Sequence, residues 1–266
     1  MGTKQTNWED LGISNDFLFG KVMQNPKLCK ELLERIFPDL KIERIEYPEL
    51  QKGIRPDADA KSVRLDVYVV DDKDIVYNIE MQATDTKELP KRSRYYQGMI
   101  DLQLIDKGQT YKKLNRSYVI FICLEDIFKK GRHIYTFENI CKEDRSISMG
   151  DETTKIFLNA DGKMDDVSEE LKAFLDYVAG KKTEDTYVHE LDEAVKEAKK
   201  NREWRHEYMT LLMRDQENQE IGEARGEEKL SRLIESLIKD KRSQDIIKVT
   251  KDSAYRKKMY KEYQID

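Results

Sequence analysis

The sequence predicts an α/β domain built on one central mixed sheet, followed by a charged, all-helical region. Three observations carry that prediction. Along the first 160 residues the segments run helix, strands, helix, buried strand, the order of an α/β domain. The run SYVIFICLED at residues 117–126 is almost continuously apolar before its acidic end, as in a strand covered on both faces. Beyond Asn159-Ala160-Asp161-Gly162 the pattern turns helical, and residues 184–240 contain no proline and only Gly222 and Gly226 as glycines. The division therefore falls between residues 12–162 and residues 163–266.

Asn15-Asp16 offers short polar acceptors to the free amides of a helix starting at Phe17. A second helix carries Leu28, Leu32, Leu33 and Ile36 at helical spacing and stops at Pro38. Residues 41–47 alternate apolar and charged as a half-exposed strand, and residues 48–62 make a loop. Two strands, Leu65 to Val70 and Ile75 to Met81, then flank the turn-forming Asp71-Asp72-Lys73-Asp74. A helix over 88–106 follows, with Tyr95, Met99, Leu102 and Ile105 as its apolar stripe. HIYTFENIC and TTKIFLNA supply further strands. The helical half contains an amphipathic helix from Val167 to Val178, a helix over 229–239 and a last helical stretch to Ile265. Its apolar spacing is too irregular for a sustained coiled coil, so a helical hairpin or small bundle is expected.

Charged residues make up 38% of the chain, above the roughly 25% of an average domain. Residues 1–150 balance 25 Lys+Arg against 25 Asp+Glu, so the net charge of −5 arises beyond them. The stretch 87–116 carries eight cations against Glu88, Asp101 and Asp106, which suits a polyanion but also an ordinary solvated helix. Three dispersed cysteines without a C-x-x-C pair, and three scattered histidines, disfavour a zinc site and fit a reducing, cytoplasmic setting. The first residues lack the apolar core of a signal peptide, and no run of about 18 apolar residues is present to span a membrane.

The unusual feature is a set of polar residues in the hairpin. Side chains alternate across a strand, so Asp66, Tyr68 and Val70 share one face, while Val76, Asn78, Glu80 and Gln82 share a face of the second strand. A two-residue loop would set Asp66 opposite Ile79. A three-residue loop, Asp72-Lys73-Asp74, sets Asp66 directly opposite Glu80. Two carboxylates so placed share a proton or hold a cation, and an all-oxygen pair suits Mg²⁺ or Mn²⁺. The alternative is an edge hairpin whose acidic residues simply face water, and spacing alone does not separate the two.

The segments NDFLFGKV, RLDVYVV, YNIEMQ, KRSRYYQGMI, GQTYKKLNRSYVIFI, HIYTF and IFLN occur in this order over roughly residues 12–160. Together they resemble the Rpn (recombination-promoting nuclease) family, transposase-like proteins of the PD-(D/E)XK nuclease superfamily. The helical tail with its GEARGEEK segment is similar to that family's variable C-terminal region. The resemblance implies a restriction-endonuclease-like core at residues 12–162, and a metal-dependent DNA endonuclease linked to DNA recombination, mobile elements or phage defence. It implies that Asp66 and Glu80 bind Mg²⁺ or Mn²⁺ and that Gln82 stands where the wider superfamily has lysine. Leu65 replaces the motif proline. Glutamine can orient a water but brings no positive charge to the phosphate. Arg92 and Tyr96 match the family's Arg and Tyr, four residues apart on one helical face. They would contact the scissile phosphate or, without substrate, pair with a carboxylate and pack in the core. Glu31 and Glu34 are expected to be solvated helix residues, and Arg64 structural.

Two other functions compete. A catalytically degenerate module would bind DNA or a protein through the charged helical half. A small-molecule hydrolase would use Asp66 and Glu80 as acid and base, but no glycine-rich phosphate loop or nucleophile elbow accompanies them. A homodimer or higher homo-oligomer through the helical C-terminal region is expected, because cutting both strands of a duplex favours two active sites.

Overall fold

A computed structural model describes residues 7–47, 65–84 and 86–265. The predicted loop at 48–62 and Arg64 lie outside these residues. The described chain forms two compact units that divide between Arg202 and Glu203.

The first unit is built on a six-stranded sheet. β1 (Ile45–Glu46), β2 (Val67–Asp71) and β3 (Val76–Gln82) are antiparallel neighbours, whereas β4 (Ser117–Cys123) and β6 (Thr153–Asn159) run parallel to β3. β5 (Ile134–Phe137) adds an antiparallel edge, giving the order β1-β2-β3-β4-β6-β5. The mixed sheet agrees with the expectation. Of the half-exposed strand expected at 41–47, Ile45 and Glu46 pair with the sheet.

α1 (Asp16–Val22) starts where Asn15 accepts a hydrogen bond from the Leu18 amide, and α2 (Pro26–Ile36) is capped in the same way by Asn25. α1 packs against β3, and Phe37 after α2 covers the stacked rings of Tyr77 and Tyr118. The opposite face of the sheet is covered by α3 (Leu89–Leu104). There Leu89, Tyr96, Met99 and Ile100 form a core with Val76, Val119, Phe121, Cys123 and Phe157.

The α3 stripe differs from the one read from sequence. Met99 is buried, but Tyr95 and Leu102 are 39% and 62% exposed. The buried side instead carries the polar Ser93 and Gln97, whose hydrogen-bonding capacity is largely met inside. Ser93 donates to the Pro90 carbonyl, and Gln97 donates to Ser117 Oγ at 2.7 Å and to Asp101 Oδ1 at 3.0 Å. Counting only apolar residues rotated the predicted face away from the true one.

α4 (Glu169–Val178) and α5 (Thr186–Lys200) belong to this first unit, so its compact boundary lies two helices beyond the division at 162/163. Both pack on α2, and α5 also packs on α1. The Tyr187 hydroxyl donates to the Leu28 carbonyl, Trp8 Nε1 donates to the Lys199 carbonyl, and Arg35 links Glu31 to Asp185. Such paired groups decide where these charged helices dock.

The second unit consists of most of α6 (Arg202–Lys239) with α7 (Ser243–Lys251) and α8 (Ser253–Glu262). The end of α6 contributes Leu233 and Leu237 to a small core completed by Val249, Met259 and Ile265. Asp252 alone joins α7 to α8 and caps the latter through the amides of Ala254 and Tyr255.

Candidate active site

The hairpin between β2 and β3 closes with three residues, Asp72-Lys73-Asp74. The Asp71 amide donates to the Ile75 carbonyl, and Asp74 takes the left-handed conformation at φ 61°. Buried Asp71 organises this turn by accepting from the amides of Lys73 and Ile75 and from the Tyr77 hydroxyl. The resulting register pairs Val67 with Ile79 and Val70 with Val76, so Asp66, one residue before β2, falls opposite Glu80.

At that position the two carboxylates are held by each other's backbone. The Asp66 amide donates to Glu80 Oε1 at 3.2 Å, and the Met81 amide donates to Asp66 Oδ2 at 3.0 Å. α1 supports Asp66 from behind. A side chain at Gly20 would begin 3.1 Å from the Asp66 carbonyl oxygen, so glycine permits the helix to approach that closely.

Glu80 is 3% exposed. Burial, and then the neighbouring Asp66 carboxylate, push its carboxyl well above the ordinary carboxylate range. The Asp66 amide, the Asn78 carboxamide and the Arg92 guanidinium oppose that rise. Asn78 is wholly buried two residues before Glu80. Its dipole favours the anion, yet neither its Oδ1 nor its Nδ2 completes a hydrogen bond of good geometry.

The cationic side of the site comes from the first turn of α3. Arg92 donates through Nη1 to Gln82 Oε1 at 2.7 Å and through Nη2 to the Tyr96 hydroxyl at 2.8 Å. The same Nη2 lies 3.8 Å from Glu80 Oε2. Its guanidinium also covers the rings of Tyr96 and Phe121, and the parallel β3–β4 register sets Phe121 beside Glu80. Gln82 is fixed at its other end, where Nε2 donates to the Thr84 carbonyl at 2.6 Å. Burial and the Glu80 charge raise the Tyr96 phenol, so it stays protonated as a donor.

The structure thus brings together all five residues singled out in the sequence, Asp66, Glu80, Gln82, Arg92 and Tyr96. Glu31 and Glu34 serve the scaffold, the first on Arg35 and the second on the Ile42 amide. Of the basic stretch 87–116, Arg92 reaches the carboxylates, whereas Arg116 pairs with Glu152. Sequence reasoning gave no role to Asn78, Gly20 or Phe121. Asn78 had a signal, since it shares a strand face with Glu80, but the other two depend on packing between distant elements.

Among the described residues no three His, Cys, Asp or Glu side chains converge, and the acidic groups that meet at this position are two carboxylates, Asp66 and Glu80. They fit a hard divalent cation. Glu80 and Asp66 are like charges with one of them buried, and Asn78 adds a buried polar group with unmet hydrogen-bonding capacity. Water and substrate oxygens would fill the remaining coordination positions.

No helix among the described residues is long and apolar enough to cross a membrane. No curated protein and no solved structure matches the chain. The family described as PD-(D/E)XK nuclease family transposase matches residues 14–265, covering both compact units. The chain belongs to the PD-(D/E)XK nuclease family of transposases.

Proposed function

We propose that this protein is a metal-dependent DNA endonuclease of the recombination-promoting type, acting in the cytoplasm on mobile or invading DNA. One observation carries the reading: Asp66 and Glu80 pair at the end of a hairpin, one of them buried, with Arg92 beside them. Asp66 and Glu80 would hold Mg²⁺ or Mn²⁺. When bound, such an ion polarises a phosphoryl group and lowers the pKa of a bound water.

The remaining work falls to the chain itself. Arg92 turns from Gln82 and Tyr96 to a non-bridging oxygen of the scissile phosphate, and the Tyr96 hydroxyl donates to the same group. Gln82, held by Thr84, presents its amide oxygen to the attacking water and orients it. Because Gln82 brings no charge, Arg92 supplies the positive charge that lysine provides elsewhere in the superfamily. The nuclease-like domain at residues 12–162 contains the whole of this constellation.

Plasmid cleavage by the purified protein tests the reading, with Mg²⁺ or Mn²⁺ set against EDTA and Asp66→Ala. Nicked or linear product is expected with metal, and none in either control. Cutting that survives Asp66→Ala would place the activity elsewhere. DNA binding without cutting would favour a degenerate binding module.

A further inference from the structure

Charge in the second unit is sorted along the chain. Residues 203–228 carry eight Asp+Glu and three Lys+Arg, whereas residues 229–266 carry eleven Lys+Arg and six Asp+Glu. The last 38 residues are therefore a +5 segment in a chain of net charge −5.

Four of the six anions of this segment are used internally. Asp245 and Glu262 both bind Arg242, Asp245 also accepts from the Tyr255 hydroxyl, and Asp240 accepts from Tyr263. Asp252 caps α8. The cations are arranged otherwise. Val249 of α7 and Met259 of α8 turn into the core, which leaves Lys248 and Lys251, and then Lys257, Lys258 and Lys261, exposed on the outer faces. Among the described residues Lys251, Lys257, Lys258 and Lys261 form no ion pair.

This is not the pattern of a surface shaped for stability. Lys257 and Lys261 stand one turn apart as like charges, which disfavours the helix by a few tenths of a kcal/mol. The contrast lies in the same protein. On α5, Lys196 pairs with Asp192 and Glu193, and Lys200 pairs with Glu197. A merely solvated face interleaves the two signs, as α5 does. Four exposed, unpaired lysines on two helices joined by one residue instead make a surface of one sign, which suits a polyanion.

We propose that the three-helix end of the chain is a second DNA-binding surface, in which Lys251, Lys257, Lys258 and Lys261 contact the phosphates of duplex DNA without reading its sequence. The choice of DNA rests on the nuclease reading above, since that reading supplies a duplex as the polyanion the protein meets. Binding here would retain the substrate independently of the cleavage site and raise its local concentration there.

Fluorescence anisotropy in EDTA tests the proposal without any cleavage. The probe is a labelled duplex of roughly three helical turns, titrated with full-length wild type and with Lys257→Glu/Lys258→Glu/Lys261→Glu. A Lys→Gln version of the same three sites removes the charges without adding repulsion, and circular dichroism checks that both fold. Roughly tenfold to hundredfold weaker binding is expected for the Gln version near physiological salt. The slope of log affinity against log salt should fall by about 3, since each phosphate contact contributes about 0.9. Unchanged affinity and slope in folded variants would overturn the proposal, as would wild type that binds no duplex or prefers single-stranded RNA. Weaker binding in variants of a protein that never cuts would leave this surface standing and remove the nuclease reading instead.

Discussion

Glu80→Gln is expected to lower metal-dependent cleavage by roughly three orders of magnitude or more while raising the melting temperature of the metal-free protein. The two effects share one cause. Glu80 is buried beside a second carboxylate, and both influences push its carboxyl well above the ordinary range. An acid whose folded pKa is raised favours folding in its protonated form. That stability is fully present below the unfolded pKa of about 4.3 and is lost as pH rises through the raised folded value. Glutamine is neutral throughout, so in EDTA the variant should match wild type near pH 4 and exceed it increasingly toward neutral pH. Relief of an uncompensated buried charge is worth on the order of 1–3 kcal/mol, or roughly 2–10 °C for a unit of this size. Added Mn²⁺ should then stabilise wild type and leave the variant unmoved. Melting curves across pH, with and without metal, check all of this. Equal melting temperatures at every pH in EDTA would mean that Arg92 already neutralises Glu80 in the resting protein.

Asp71→Ala should be the most damaging single change outside the candidate site. The carboxylate satisfies the buried Ile75 amide and the buried Tyr77 hydroxyl as well as the Lys73 amide. Alanine leaves the first two without partners where water does not reach, at about 1–3 kcal/mol each. A fall in melting temperature of roughly 5–15 °C is expected. Asp71→Asn keeps an acceptor oxygen for the two amides and can donate to the Tyr77 oxygen, so it should recover most of the loss. Similar losses in the two variants would show that the negative charge matters rather than the hydrogen bonds.

These two residues also show how far the sequence could be read. Strand alternation narrowed the hairpin to two registers. The three-residue loop found in the structure is the one that sets Asp66 opposite Glu80, because a hairpin is a local structure whose register follows from its turn. The Arg92–Tyr96 pairing was legible for the same reason, as a one-turn separation on a helix. What joins the halves was not legible. Arg92 meets Gln82 only because Leu89, Tyr96 and Ile100 fix α3 on the sheet, and the predicted stripe was turned by the internally bonded Ser93 and Gln97. Likewise, Gly20 looks like a flaw in an otherwise good helix until the Asp66 carbonyl is found against it. The docking of α4 and α5 rests on pairs such as Tyr187 with Leu28, separated by more than 150 residues, which no local pattern records.

The resting partners of Arg92 have a kinetic consequence. A phosphate arriving at this guanidinium must replace the bonds to Gln82 and Tyr96, so the ground-state complex gains little from the exchange. As the phosphate acquires charge on the way to bond cleavage, its attraction for the guanidinium grows while that of the neutral partners does not. Arg92 should therefore act on turnover rather than affinity. Single-turnover kinetics of Arg92→Lys should show kcat reduced by roughly 10²-fold with KM nearly unchanged. A rise in KM alone would instead make Arg92 a docking residue whose grip is complete before chemistry begins.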